Sequence, residues 1–214
     1  MENIISSENR YYKRNLPHYS VSGACYFITF RLAGSLPEDK FEQTRKKFEI
    51  IKSRISVSNL KNSMKKVRLD NNWKRYFYKI DKLMTEYKKS PTYLKNPNIA
   101  QIVASSIKHH DSKNYNLLCY SIMPNHVHLI FTLFEERGLA KTMFSIKRFT
   151  AGQANKILKK NGQFWQHESY DHIIRNKKAL NNIVHYTIHN PVKAGLVEKW
   201  QDWRWTYLKD ISIL

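Results

Sequence analysis

Met123-Pro124-Asn125-His126-Val127-His128-Leu129-Ile130-Phe131 is the stretch whose reading decides the fold. As a strand, its side chains alternate between two faces. Val127, Leu129, Phe131 and Leu133 then point into a core, while His126 and His128 stand side by side on the opposite face. Two imidazoles so placed can share one metal ion. A helix would set them roughly 200° apart and separate the pair. Residues 115–122 form a second β-rich apolar run just upstream. The Pro124-Asn125 link is so short that the two strands should form an antiparallel hairpin.

Outward from the hairpin, Ala24-Cys25-Tyr26-Phe27-Ile28-Thr29-Phe30-Arg31-Leu32 reads as a central strand that ends at Gly34. Ser35 and Glu38 have capping-box spacing and open a helix with Phe41, Phe48, Ile51 and Ile55 on one stripe. Residues 56–63 look like a break, and the basic run of Lys61, Lys65, Lys66 and Arg68 like a solvated loop. A second helix is predicted over about 70–88, carried by Trp73, Phe77, Ile80, Met84 and Tyr87. Ile99, Ile102, Val103 and Ile107 mark a short helix from Asn98. A longer one runs over about 138–159 with Leu139, Met143, Ile146, Phe149 and Ile157 inward. An extended segment near 170–175 leads to a last main helix from about Asn176. The tail with Trp203, Trp205 and Tyr207 packs back as an irregular or short helical cap. This order predicts an α+β fold: an antiparallel sheet of the ferredoxin-like, split βαβ type, with helices on one face. It is taken as one domain over 1–214, with a basic helical insert at about 36–100 and a Trp-rich tail at about 198–214.

Charge narrows the partner. The chain holds 37 Lys and Arg against 17 Asp and Glu, a formal +20. Such a balance points to a polyanion, with nucleic acid ahead of an anionic membrane surface. Cys25 and Cys119 sit in apolar strand-like runs, which reads as buried thiols and excludes a disulfide framework. The first residues lack the basic and apolar regions of a signal peptide, and no apolar run approaches the ~20 residues of a membrane span. A cytoplasmic protein is expected.

Beyond the histidine pair, the last helix carries Leu180, Ile183, Val184 and Thr187 on its inward stripe. Tyr186 falls at the edge of that stripe, and Asn190 lies one turn later. A tyrosine there can reach across to the sheet, although an ordinary boundary residue would look the same. Asn190 in Asn-Pro-Val-Lys-Ala-Gly could equally be a helix cap. Arg31, Lys147, Arg148 and Arg175 are candidate phosphate contacts. Arg10-Tyr11-Tyr12-Lys13-Arg14 could stack on bases, and His109-His110-Asp111 offers a weaker metal-ligand cluster.

Taken together, Met123-Pro124-Asn125-His126-Val127-His128 and Tyr186-Thr187-Ile188-His189-Asn190-Pro191-Val192-Lys193-Ala194-Gly195-Leu196-Val197 resemble the single-tyrosine HUH transposases. Within these they are most similar to the branch of REP-associated tyrosine transposases, relatives of insertion-sequence enzymes. Residues 26–32 and 164–172 fit the same branch, so the resemblance runs from about 18 to 207. Thr187 departs from it, standing where the family usually has an aliphatic residue. The resemblance implies that His126 and His128 are metal ligands, Asn190 a third polar ligand and Tyr186 the nucleophile. It further implies a single-stranded DNA endonuclease and strand transferase acting beside a hairpin through a 5′-phosphotyrosine intermediate. A mixed, incomplete ligand shell suits Mg²⁺ or Mn²⁺ better than a closed zinc site. Whether the enzyme is a monomer with the tyrosine in cis or a homodimer stays open. The competing readings are a non-catalytic nucleic-acid-binding module on the same fold, and a zinc hydrolase whose nearest carboxylate is Glu135.

Overall fold

The computed structural model describes residues 10–13, 17–20, 23–134 and 137–210. The strands are β1 (Arg10–Lys13), β2 (Pro17–Ser20), β3 (Cys25–Arg31), β4 (Tyr115–Ile122), β5 (His126–Leu133), β6 (Tyr170–Ile174) and β7 (Thr206–Leu208). The helices are α1 (Glu38–Val57), α2 (Asn62–Glu86), α3 (Pro97–His110), α4 (Leu139–Leu158), α5 (Lys177–Ile188) and α6 (Asn190–Lys193). Five strands form one antiparallel sheet in the order β6-β3-β5-β4-β7, and β1 and β2 make a separate two-stranded ribbon. The contacts divide the chain into two compact units, residues 1–33 with 92–214, and residues 34–91.

The predicted hairpin is β4–β5, and β5 is the middle strand. Val127, Leu129, Phe131 and Leu133 pack into one core with Tyr26, Ile28 and Phe30 of β3 and the apolar faces of α3 and α4. Each such side chain, fully buried, is worth about 1.5–3 kcal/mol. The Tyr115 ring stacks on Phe131 with centroids 4.4 Å apart, and its hydroxyl donates to the Ile107 carbonyl at 2.6 Å. The β4 register shifts between Leu117 and Cys119. This extra residue resets the alternation, so that Tyr115, Leu117, Tyr120 and Ile122 all reach the same core.

The sheet is α+β as expected, but the one-face description fits only α3 and α4. The last main helix, α5, lies against the opposite face, where the histidines are. The tail adds an edge strand instead of a helical cap. Trp200–Asp202 form a single 3₁₀ turn, β7 pairs with β4, and the Trp203 indole donates to the Ile122 carbonyl at 3.0 Å. In α4 the inward positions are Leu139, Thr142, Met143, Ile146, Thr150 and Ala154, while Phe149 and Ile157 are exposed. Thr150 can face inward because its hydroxyl donates to the Ile146 carbonyl at 2.7 Å and accepts from the Trp165 indole at 2.8 Å. Cys25 and Cys119 are both free thiols, and burial pushes Cys25 up to about 11 and Cys119 higher still.

Residues 34–91 are a helical hairpin of α1 and α2. Its interior includes Phe48 stacked on Tyr76 at 4.5 Å and an Asn72 amide donating to the Phe48 carbonyl at 3.1 Å. Ser35 does not cap α1. Pro37 takes the N-cap position, and Glu38 and Asp39 supply first-turn negative charge. The basic run at 61–68 is helical rather than a loop, so α2 begins eight residues before the predicted start. The compact unit closes at Pro91 instead of about 100, because α3 belongs to the sheet core. No helix among the described residues is long and apolar enough to cross a membrane.

Candidate metal and nucleophile site

Period-two alternation in β5 and β3 puts His126 and His128 on one face together with Thr29 and Arg31. Thr29 lies opposite His128 in register, and Arg31 opposite His126. Both histidines are buried, at 1% and 0% exposure. Their outer nitrogens are held from behind. His126 Nδ1 donates to Asn125 Oδ1 at 2.6 Å, and His128 Nδ1 meets Thr29 Oγ1 at 2.8 Å. The Phe27 ring stacks along His128 with centroids 5.7 Å apart.

The inner nitrogens face each other, Nε2 to Nε2, at 3.0 Å. Since His126 Nδ1 donates its proton to Asn125, His126 Nε2 carries a lone pair, which can accept an Nε2–H from His128 or bind a cation. Two nitrogens bound side by side to one octahedral ion at about 2.1 Å would stand about 3.0 Å apart. The donor set fits a divalent metal, with the Asn125 and Thr29 side-chain oxygens fixing the imidazoles from behind.

The Asn190 amide lies 3.1 Å from His128 Nε2, and Asn190 is buried. It is the first residue of α6, where His189 takes the N-cap position, so capping does not account for Asn190. The Asn176 side chain accepts from the Ala179 amide at 2.8 Å and starts α5. Val184 and Thr187 bury the inward face of α5, which brings the Tyr186 ring to 5.7 Å from the His128 ring, edge-on. His126, His128, Asn190 and Tyr186 thus converge, all from one chain.

The cations divide differently. Arg31 is buried rather than solvated at a strand end. Lys147 turns its ammonium to the carbonyls of Gln166 and His167 and the Ser169 hydroxyl, at 2.7, 2.8 and 3.2 Å, so it pins a loop. Arg148 is exposed beside the Phe144 ring, 5.8 Å away, and Arg175 is exposed just after β6. The Asp111 carboxylate accepts from the amides of Ser112 and Leu117, and His110 Nδ1 meets the Asn114 amide. Those contacts give this cluster a structural explanation. The side chains of Arg10–Lys13, and Arg14 and Glu135 as a whole, lie outside the described residues.

Three neighbours of the site were not singled out from sequence. Thr29 and Asn125 orient the imidazoles. Lys193 sets its ammonium 4.5 Å from the centre of the Tyr186 ring. Lys193 ends α6, seven residues after Tyr186 near the end of α5, and that spacing is the signal the sequence offers. His185 of α5 and His189, which closes that helix, stack at 4.0 Å, and partial burial, followed by the charges of His189 and Lys193, lowers the His185 pKa.

The sequence profile of the family described as "Transposase IS200 like" matches residues 82–190. A putative REP-associated tyrosine transposase of Haemophilus influenzae is 30% identical over 99 residues, covering 42% of this chain and 56% of that protein. A REP-associated tyrosine transposase of Escherichia coli K12 is 30% identical over 109 residues, covering 50% of this chain and 62% of that protein. The chain therefore matches less than two thirds of either relative's length. A solved structure of a REP-associated tyrosine transposase bound to a REP hairpin superposes with a TM-score of 0.54 at 19% identity, over 91% of this chain and 82% of that one. This last likeness shows a shared fold.

Proposed function

This chain belongs to the IS200-like transposase family, and on that premise we propose that it is a metal-dependent single-stranded DNA endonuclease and strand transferase with Tyr186 as nucleophile. The observation that carries the reading is the pair of facing Nε2 atoms at 3.0 Å, with the Asn190 amide and the Tyr186 ring beside them. A binding module requires none of these groups to converge.

His126, His128 and Asn190 would hold Mg²⁺ or Mn²⁺, with the Asn190 amide turned to present its oxygen. Once bound, such an ion supplies Lewis-acid stabilisation of charge on the scissile phosphate. The Tyr186 oxygen attacks phosphorus, forming a phosphotyrosine ester on the 5′ side. The bond to the 3′ oxygen breaks, the phenol gives up its proton and the departing oxygen takes one up. The bond count is conserved, so a 3′-hydroxyl can reverse the step and join strands without ATP. Lys193 places positive charge against the ring whose oxygen must carry negative charge. Arg31 adds a buried cation on the histidine face. The proximity of Tyr186 to His128 within one chain supports action in cis. The hairpin held by the structural relative supports a substrate of single-stranded DNA flanking a hairpin.

The test is a denaturing gel of the protein incubated with end-labelled, hairpin-bearing single-stranded DNA and Mn²⁺. A covalent protein–DNA adduct is expected, and it should vanish in Tyr186→Phe and with chelator. An adduct formed by Tyr186→Phe would remove the nucleophile assignment. Tight binding without any adduct across varied hairpins would leave the binding-module reading.

A further inference from the structure

The helical hairpin over 34–91 carries 16 Lys and Arg against 7 Asp and Glu, and the family match begins only at residue 82. Its charges are not scattered. The acids Glu42, Glu49, Asp70 and Glu86 pair with Arg45, Lys52, Lys74 and Lys82 at 2.7–3.5 Å. A groove of about 610 Å³ between α1 and α2 is lined by four other cations, Lys40, Lys47, Arg75 and Lys79, and by no acid. All four are exposed, and among the described residues none of them is ion-paired. Lys40 and Lys47 are seven residues apart on one face of α1. Arg75 and Lys79 are four apart on α2. Two rows of cations therefore face one groove.

The groove's chemistry selects among anions. A site for single strands needs open aromatic faces on which bases stack. Here Phe48 and Tyr76 spend their faces on each other, at 4.5 Å and 20° between planes, and Tyr76 is only 5% exposed. What remains accessible is a double row of positive charge, which suits phosphates whose bases are turned away. We propose that this groove docks the phosphate backbone of a DNA duplex, the stem of a hairpin substrate. The proposal rests on the DNA-processing reading for its substrate, but none of the four groove cations is among the residues assigned to metal binding or nucleophilic attack.

The test compares two variants with equal loss of charge. One is Lys40→Gln/Lys47→Gln/Arg75→Gln/Lys79→Gln. The other removes the ion-paired cations, Arg45→Gln/Lys52→Gln/Lys74→Gln/Lys82→Gln. Melting curves verify that both fold. Binding to a blunt hairpin duplex and to an unstructured single strand is followed by anisotropy across KCl concentrations. The groove variant should lose at least about tenfold in duplex affinity near 0.1 M salt. Its log–log salt slope should drop by about three to four, the value for four lost phosphate contacts. The paired-cation variant should lose clearly less, and single-strand affinity should change little. Equal losses in both variants, losses confined to the single strand, or an unchanged duplex slope would overturn the proposal. So would a larger loss toward phosphatidylserine vesicles than toward duplex. With saturating DNA the groove variant should still form the Tyr186 adduct. If the wild-type chain forms no adduct, the enzymatic reading fails, while the salt-slope comparison still decides the groove.

Discussion

Two buried imidazole nitrogens 3.0 Å apart can share one proton in a hydrogen bond or, with both lone pairs turned inward, share one cation. What makes them useful lies behind them. For both Nε2 atoms to be free ligands, both Nδ1 atoms must carry the proton, and so Asn125 and Thr29 must accept. Thr29 is the more telling of the two, since its hydroxyl comes from β3, ninety-nine residues away in sequence, and meets only the ring's outer edge. Thr29→Val keeps the shape and removes the acceptor. Loss of such an outer partner typically costs 10- to 100-fold in metal affinity. We therefore expect Mn²⁺ binding, measured by titration calorimetry or by electron paramagnetic resonance of free Mn²⁺, to weaken about 10- to 100-fold in Thr29→Val. The helical and sheet signature in circular dichroism should be retained. An unchanged dissociation constant would show that Thr29 does not set the His128 tautomer.

At the scale of elements, the position of Tyr186 depends on α5, and α5 depends on how it starts. Asn176 leaves its side chain in the cap position, accepting from Ala179, just after the exposed Arg175. Asn176→Ala should cost about 1 kcal/mol, within about 0.5–2. A lowered urea midpoint with unchanged slope is the expected result, and no change in midpoint would mean that packing alone starts the helix. The same elements show what could be read from sequence. β5 was legible because period two and a two-residue link leave few alternatives. α5 was legible from its apolar stripe and Asn176. The start of α2 was not, because Lys65, Lys66 and Arg68 lack an apolar period. They are nonetheless good helix formers, and propensity carried the helix through an exposed stretch. Phe149 is exposed rather than inward, and its neighbour Thr150 is buried, because a hydroxyl satisfied within its own helix behaves as a small core residue. The convergence of His126, His128, Asn190 and Tyr186 was anticipated from resemblance. Thr29 was out of reach, because strand register between distant segments leaves no local mark.

At the scale of the whole chain, the sheet unit is made from two separated stretches, 1–33 and 92–214. The backbone shows how it closes across the gap. The Leu32 amide donates to the Asn125 carbonyl at 2.8 Å, and the Leu94 amide donates to the Pro124 carbonyl at 3.1 Å. The chain thus leaves and re-enters the sheet unit at hydrogen bonds to two consecutive residues of the β4–β5 turn. A connection of a few residues can span such a gap, and the members of the sheet's central apolar cluster come from 24–32 and 93–207. Replacing residues 34–91 by a short Gly/Ser linker makes the loop roughly tenfold shorter, which lowers its closure cost by about 2 kcal/mol. The shortened protein should fold cooperatively and melt in a single transition by circular dichroism. Its urea slope should be smaller in proportion to the surface removed. It should also show a salt slope for duplex binding reduced at least as far as that of the four-residue groove variant. A broad, non-cooperative melt would show instead that the sheet unit needs the helical hairpin to fold. A duplex salt slope equal to that of the full chain would place the dominant phosphate contacts on the sheet unit.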